Sequence, residues 1–208
     1  MNTVALADWV EDIMIRLPGT TKRVVEHQLF ATAQEFFRDS HAWTARIPFI
    51  VDDTKKYLYL SPTYDGANVN TVLRCAYDGK FMPPSGALPI RDLSPAIPQS
   101  FYMVDSGTLQ LLPSPSLAAN GKDVLVDVSL IPENFDTPIP SDIWVHHRKA
   151  LICGTLGNLY DWAGRPWYKP KQAILEQRKF KFETIKAKKK TLARFTQGNY
   201  SWRYPTWA

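Results

Sequence analysis

The residues able to do chemistry in this 208-residue chain are few and scattered. Four histidines are present, His27, His41, His146 and His147. His146 and His147 are adjacent, and neighbours on a helix point about 100° apart, whereas a chelating pair needs i, i+4 spacing. A role on a helix surface or in helix packing is therefore expected for them. The cysteines, Cys75 and Cys153, lie far apart with no CxxC and no flanking histidine pattern, so they read as buried, reduced thiols and not as a zinc site. Carboxylate pairs occur at Glu11-Asp12 and Asp52-Asp53. The polar face of a helix explains the first and turn chemistry the second. Gly154-Thr155-Leu156-Gly157 lies within a helical pattern, so close helix packing explains it better than a phosphate cradle. No G-x-S-x-G and no serine or cysteine with a recognisable histidine partner is found. No enzymatic activity, metal or cofactor is expected; only a pocket with converging perturbed groups would revive a hydrolase reading.

Charge and aromatic content are more informative. The formal net charge is +5, but residues 169–208 hold eleven Lys/Arg against two Glu, while residues 1–168 carry a net −4. Lys186, Lys188, Lys189 and Lys190, with Arg194, form the densest basic stretch. A solvated helix end, an acidic protein neighbour and a phosphate backbone all remain open for it. The final residues, FTQGNYSWRYPTWA, contain Phe195, Tyr200, Trp202, Tyr204 and Trp207 with the single cation Arg203. Aromatics at this density are costly to leave in water, so they pack back on the body or dock on another chain, where Trp and Tyr are frequent anchors.

The elements that position these residues follow from periodicity. Leu6, Trp9, Val10, Ile13 and Leu17 share one face of a predicted helix over residues 3–17, with Thr3 as N-cap and Asp8, Glu11, Asp12 and Arg16 opposite. Pro18-Gly19 stops it. A second helix, about Thr21–Ser40, carries Val25, Leu29, Ala33, Phe36 and Phe37; the short connection predicts antiparallel neighbours. Strands are predicted at Ile47–Val51 and Tyr57–Leu60, as a hairpin, and at Val69–Tyr77, Phe101–Val104, Thr108–Leu112 and Val124–Ile131. Asp78-Gly79 and Asp105-Ser106-Gly107 are tight-turn signals. Val124, Val126, Val128 and Leu130 alternate with Leu125, Asp127 and Ser129 as in a half-buried strand. Prolines mark a long loop over residues 82–99. A third helix opens at Pro140-Ser141-Asp142, capped by Ser141 or Asp142, buries Trp144, Ala150, Leu151, Leu156, Leu159 and Tyr160, and ends at Gly164. A fourth runs from about Pro170 to Arg194, with Ile174, Phe182, Ile185 and Leu192 as its apolar stripe.

The predicted fold class is α+β: an antiparallel helical bundle of about four helices (residues 1–41 and 139–194), an inserted small antiparallel β-module of about six strands (42–138), and an extended C-terminal arm (195–208). The apolar fraction of 45% and charged fraction of 22% exclude a wholly disordered chain. No run approaches the roughly 18 apolar residues of a membrane span, so no membrane partner is expected. The acidic first residues do not read as a secretory signal.

Within this order, Ala31-Thr-Ala-Gln-Glu-Phe-Phe-Arg-Asp-Ser-His-Ala-Trp43 resembles the A…EFxRxSxxW helix end of tailed-bacteriophage head-to-tail adaptor (connector) proteins. The Tyr57-Leu58-Tyr59-Leu60 strand, the turn around Pro113, the Pro140-Ser141-Asp142 helix start, the Gly154–Leu159 segment, the Arg165-Pro166-Trp167 elbow and the last helix with Phe182, Ile185 and Ala187 extend the likeness over about residues 20–194. It is most similar to the adaptors of short-tailed phages. The resemblance implies a virion protein at the head-to-tail interface, assembled in the host cytoplasm. It further implies a closed ring, a dodecamer in that family, joining the portal protein to a tail (nozzle or tail-tube) protein. Genomic DNA would pass through its channel without sequence-specific binding. The C-terminal arm (Phe195, Tyr200, Trp202, Arg203, Tyr204, Trp207) would dock on the portal, and Lys186, Lys188, Lys189, Lys190 and Arg194 would meet acidic portal surface. The alternative is a nucleic-acid-binding protein using its basic C-terminal helix.

Overall fold

The computed structural model describes residues 3–4, 6–61, 65–86 and 94–195. The fold is α+β, with four α-helices and antiparallel sheets among the described residues. In chain order these are β1 (Thr3–Val4), a 3-10 turn (Leu6–Trp9), α1 (Val10–Met14), α2 (Lys22–Ser40), β2 (Thr44–Ile50), β3 (Tyr57–Tyr59), β4 (Ala67–Tyr77), β5 (Lys80–Met82), β6 (Ser100–Asp105), β7 (Thr108–Leu112), β8 (Asp123–Pro132), β9 (Ile139–Pro140), α3 (Ser141–Tyr160) and α4 (Pro170–Phe195).

The first predicted helix is broken. Thr3 and Val4 are extended and pair with Pro140 and Ile139, so Thr3 caps nothing, and regular helix begins only at Val10. The expected apolar face survives the break: Leu6, Trp9, Val10, Ile13 and Leu17 are all buried. Trp9 meets Trp144 edge to face at 4.5 Å, and Arg148 lies 4.1 Å over the Trp9 ring while its guanidinium also donates to Asp12. These contacts tie the start of the chain to α3.

α2 follows its periodicity, burying Val25, Leu29, Ala33, Phe36 and Phe37. Its end is held by the sheet. His41 closes it in the left-handed region at φ 54°. The Asn70 amide, at a register shift in β4, donates to the Arg38 carbonyl at 3.1 Å and reaches Ser129 Oγ and His41 Nδ1. Last-turn carbonyls have no partner within a helix, so this side chain supplies one. The stretch that carries the adaptor resemblance is thus the corner where helix becomes sheet, with Phe36, Phe37 and Trp43 buried beneath it.

The strands form two main sheets, β2-β8-β4-β5 and β3-β7-β6. The predicted hairpin of Ile47–Val51 with Tyr57–Leu60 does not form: β2 pairs with β8, and β3 with β7. The connection between them is a turn in which Asp52 accepts from the Thr54 amide and hydroxyl, which holds the Asp52 carboxyl below its ordinary range. Strand β5 had no expectation in the sequence; the Asp78-Gly79 turn, both residues at positive φ, returns the chain directly into it. β8 is also more buried than its alternation implied. It lies between β2 and β4 with α2 on one face, so Asp127 and Ser129 are buried along with the valines. Asp127 is satisfied there by two bonds from the Arg46 guanidinium, at 2.7 and 3.2 Å. The expected proline loop is tied at both ends, through Ser85 N to Phe101 O of β6 at 2.7 Å and through Ala96 N to Ser114 O, just past β7, at 3.0 Å; residues 87–93 lie outside the described set.

α3 begins at Ser141 itself, with Pro140 in the capping position and no side-chain cap, so neither predicted cap residue acts as one. All six predicted core residues are buried. The helix ends at Tyr160, four residues before Gly164, because the Lys169 amide returns to the Tyr160 carbonyl at 2.9 Å and the chain turns over Trp167, which is buried. One continuous apolar core runs from the helices into both sheets.

Candidate docking surfaces

α3 and α4 pack antiparallel, and small residues let them approach closely. A Cβ on Gly154 would stand 2.5 Å from Thr32 Cγ2 and 2.7 Å from Phe180 Cδ2; one on Gly157 would stand 2.9 Å from Gln177 Cγ and 3.1 Å from its backbone nitrogen. The facing side of α4 is correspondingly made of Ala173, Phe180, Thr184, Ala187 and Thr191. Thr184 satisfies its hydroxyl on the Phe180 carbonyl at 2.9 Å.

This overturns the predicted stripe of α4. Ile174, Phe182, Ile185 and Leu192 are not its buried face; they point to solvent, joined by Leu175. The helix carries two apolar faces. Glycines on α3 leave room on the inner one only for small residues and one ring, so the larger hydrophobics fall on the outer one. At about 100° per residue, Ile174, Ile185 and Leu192 form one outer edge, and Leu175 and Phe182 the other.

Each edge borders a hollow. Phe182 lies along a groove of about 1030 Å³ between α1, α3 and α4, lined also by Ile15, Val145, Ile152, Arg16, Lys149 and Arg178. Ile15, Val145 and Phe182 are 81%, 68% and 67% exposed. Beside the other edge is a smaller hollow of about 290 Å³, where Ile185, Lys181 and Lys188 of α4 meet Glu35 and Asp39 of α2. Ile174 and Ile185 are 53% and 55% exposed. Ile15 and Val145 had no sequence signal as surface anchors: each sits next to core residues in the chain and falls just outside the buried arc.

The lysine run does not make a single basic face. Lys188 acts on His41 and lines the α2 side, whereas Lys190 and Arg194 act on His147 near the start of α3. Lys186 approaches Glu183 at 4.0 Å, and Lys189 faces outward. Phe195 is the last residue of α4 and half-buried, so it belongs to the helix; Tyr200, Trp202, Arg203, Tyr204 and Trp207 lie outside the described residues.

The titratable groups are accounted for by packing. His147 sits 5.0 Å from the Phe36 ring, and burial, with help from His146, Lys190 and Arg194, lowers its pKa to about 4. His41 is lowered as well, first by burial and then by Lys188. The Cys75 thiol is pushed up to about 12 by burial and then by Asp127, and Cys153 likewise to about 12 by burial and then by Glu176. Among the described residues no three His, Cys, Asp or Glu side chains are grouped to hold a metal ion, and no helix is long and apolar enough to cross a membrane. The surface therefore offers contact chemistry: apolar edges, flanking charges and two hollows. No protein-family model and no curated protein matches this chain.

Proposed function

We propose that this chain is a structural virion protein, one subunit of a bacteriophage head-to-tail adaptor ring that joins the portal to the tail and extends the DNA channel. The observation that carries this reading is the outer face of α4. A chain whose longest helix presents five large hydrophobics to solvent is suited to a state in which neighbours cover them. The helix, helix, sheet, helix, helix order and the corner at Phe36–Trp43 agree with the adaptor resemblance. In this reading the helices form an antiparallel bundle at the ring body. The strands between α2 and α3 face the tail protein. The arm after α4 docks on the portal, with Lys186, Lys188, Lys189, Lys190 and Arg194 beside acidic portal surface. DNA passes without being read. The splitting of the lysines between two flanks weighs against a dedicated nucleic-acid surface, which needs them on one face.

Electron micrographs of the purified protein with and without its portal test this. Closed rings seated on the portal are expected; a portal that stays bare at saturating protein refutes the reading. Deleting residues 196–208 is expected to abolish portal binding and leave a folded monomer, and unimpaired binding would remove the arm from the interface. Affinity for short DNA that falls steeply with salt would favour the nucleic-acid alternative.

A further inference from the structure

The groove between α1, α3 and α4 sets apolar side chains beside free cations. Its apolar residues include Ile15, Val145, Ile152 and Phe182, and all of these but Ile152 stand mostly in water. We infer that this groove receives an acidic amphipathic helix from a protein of different sequence. The inference goes beyond the ring reading and does not depend on it.

Charge selects an acidic occupant. Arg16, Arg148, Lys149, Arg178 and Lys179 line the groove against Asp12, Glu176 and Glu183. All three acids are already matched: Asp12 by Arg148, Glu176 by Lys179, and Glu183 by Lys186, which approaches from outside the lining. Arg16 acts on Glu176 only through space, and Arg16, Lys149 and Arg178 make no ion pair among the described residues. Glu11 and Asp142, the next acids along α1 and α3, are not among the lining residues. Exposed cations gain little singly, but beside an apolar contact they favour a partner of opposite charge.

Shape selects a helix. The walls are helices, whose backbone groups already bond within themselves, so an extended segment would find no strand edge to pair with. A helix satisfies its own backbone and presents an apolar row. From Val145 to Ile152 the groove follows two turns of α3, about 10 Å, the length of an i, i+3, i+7 row. The chain itself offers no matching acid. Lys55 and Lys56 lie beside Ile50, Tyr57 and Tyr59, and Lys181 and Lys188 balance Glu35 and Asp39 beside Ile185. Residues 196–208 contain Arg203 and no Asp or Glu. Neither those patches nor the arm would bring a surplus of carboxylates to the groove.

Fluorescence anisotropy on the full chain tests this with two labelled peptides of about 18 residues, long enough to hold a helix. One carries leucines at i, i+3 and i+7 flanked by glutamates; the other has lysine for every glutamate. The acidic peptide is expected to bind about tenfold tighter or more, an advantage that shrinks as salt rises. Phe182→Ala and Lys149→Glu should each weaken it by about tenfold. Tyr59→Ala, at an exposed site on β3, should leave it unchanged. Melting curves matching wild type show that the variants are folded. Equal affinity for the two peptides, including no binding of either, overturns the inference, as does an acidic peptide indifferent to both groove substitutions. Binding seen only after residues 196–208 are deleted gives the groove to the arm, and oligomers of the chain that the peptide disperses give it to a second copy; either result overturns the inference too. None of these readouts involves the portal, so the ring reading stands or falls separately.

Discussion

Replacing Gly154 by Ala tests the close seating of α3 on its neighbours. In an exposed helix interior the change stabilises by about 1 kcal/mol, because glycine gives up more backbone freedom. Here the new Cβ would lie 2.5 Å from Thr32 Cγ2 and 2.7 and 2.9 Å from two carbons of the Phe180 ring. None of these gives way easily. Thr32 is fully buried, β-branched and fixed by its hydroxyl on the Gln28 carbonyl at 2.8 Å, and Phe180 is buried against Phe36. Overpacking of this severity costs about 3 kcal/mol, at the upper end of its usual range. The net is a loss of about 2 kcal/mol, or about 4–8 °C in melting temperature for a chain of this size. Gly157→Ala is the comparator: its Cβ would meet Gln177 Cγ at 2.9 Å and the Gln177 backbone nitrogen at 3.1 Å, a looser fit than at Gly154, so a smaller loss is expected. Thr32→Ser removes the clashing methyl and keeps the hydroxyl, so combining it with Gly154→Ala should recover part of the loss as a positive coupling in a double-mutant cycle. The assay is thermal unfolding followed by circular dichroism. A Gly154→Ala protein as stable as wild type, or strictly additive with Thr32→Ser, would refute the packing argument.

Other expectations follow from the same geometry. Phe180→Ala should cost about 3–5 kcal/mol and Phe182→Ala about 0.5 kcal/mol or less in denaturant unfolding, since two residues apart on α4 one ring is core and the other solvent-facing; the opposite order would mean that the helix is rotated. His147 is neutral when folded down to about pH 4, while its unfolded form takes a proton near pH 6.5, so protons favour unfolding between those values. Stability should therefore fall as pH drops from about 6.5 to 4, by roughly 1–2 kcal/mol from His147 after allowing for solvent around a half-buried ring. A His147→Gln protein with an undiminished pH slope would contradict this. Both thiols, buried and raised to about 12, should react with a disulfide reagent at pH 8 only as the protein opens; a thiol labelled at the rate of free cysteine would remove it from the interior.

What the sequence revealed depended on whether local pattern and tertiary contact agreed. α2 and the six buried positions of α3 were legible because their apolar residues fall on a single arc. Among the later strands β4, β6, β7 and β8 were legible from their turn residues and alternation, whereas β5 and β9 were not. Pairing was not: Ile47–Val51 and Tyr57–Leu60 are adjacent in the chain and separated by a polar turn, yet β8, about 80 residues later, supplies the partner of β2. Period alone shows that a strand has a face and is silent about its neighbours. The break after Val4 was hidden for a similar reason, since the residues that draw it into pairing are 139 and 140. On α4 the pattern misled outright. Size and hydrophobicity favoured Ile174, Phe182, Ile185 and Leu192 as core, but the contact side was set by Gly154 and Gly157 on another helix. The docking edges were therefore in plain view as apolar residues and unreadable as surface.

The placement of the sheets between α2 and α3 has a kinetic consequence. Roughly 100 residues separate those two helices, and closing so long a flexible loop costs about 4 kcal/mol of chain entropy. The folded strands shorten that loop several-fold, because the Leu130 amide bonds to the Trp43 carbonyl at 2.8 Å and holds the departing and returning chain side by side. The intervening strands thus work as a splint: once they have formed, α2 and α3 meet as though joined by a linker of about 14 residues, at a cost nearer 2 kcal/mol. The long closure is then met once, when β8 pairs with β2, and the docking of α2 on α3 follows at little further cost in chain entropy. A lesion confined to the sheet would then slow helix docking far from it, without touching a single helix contact.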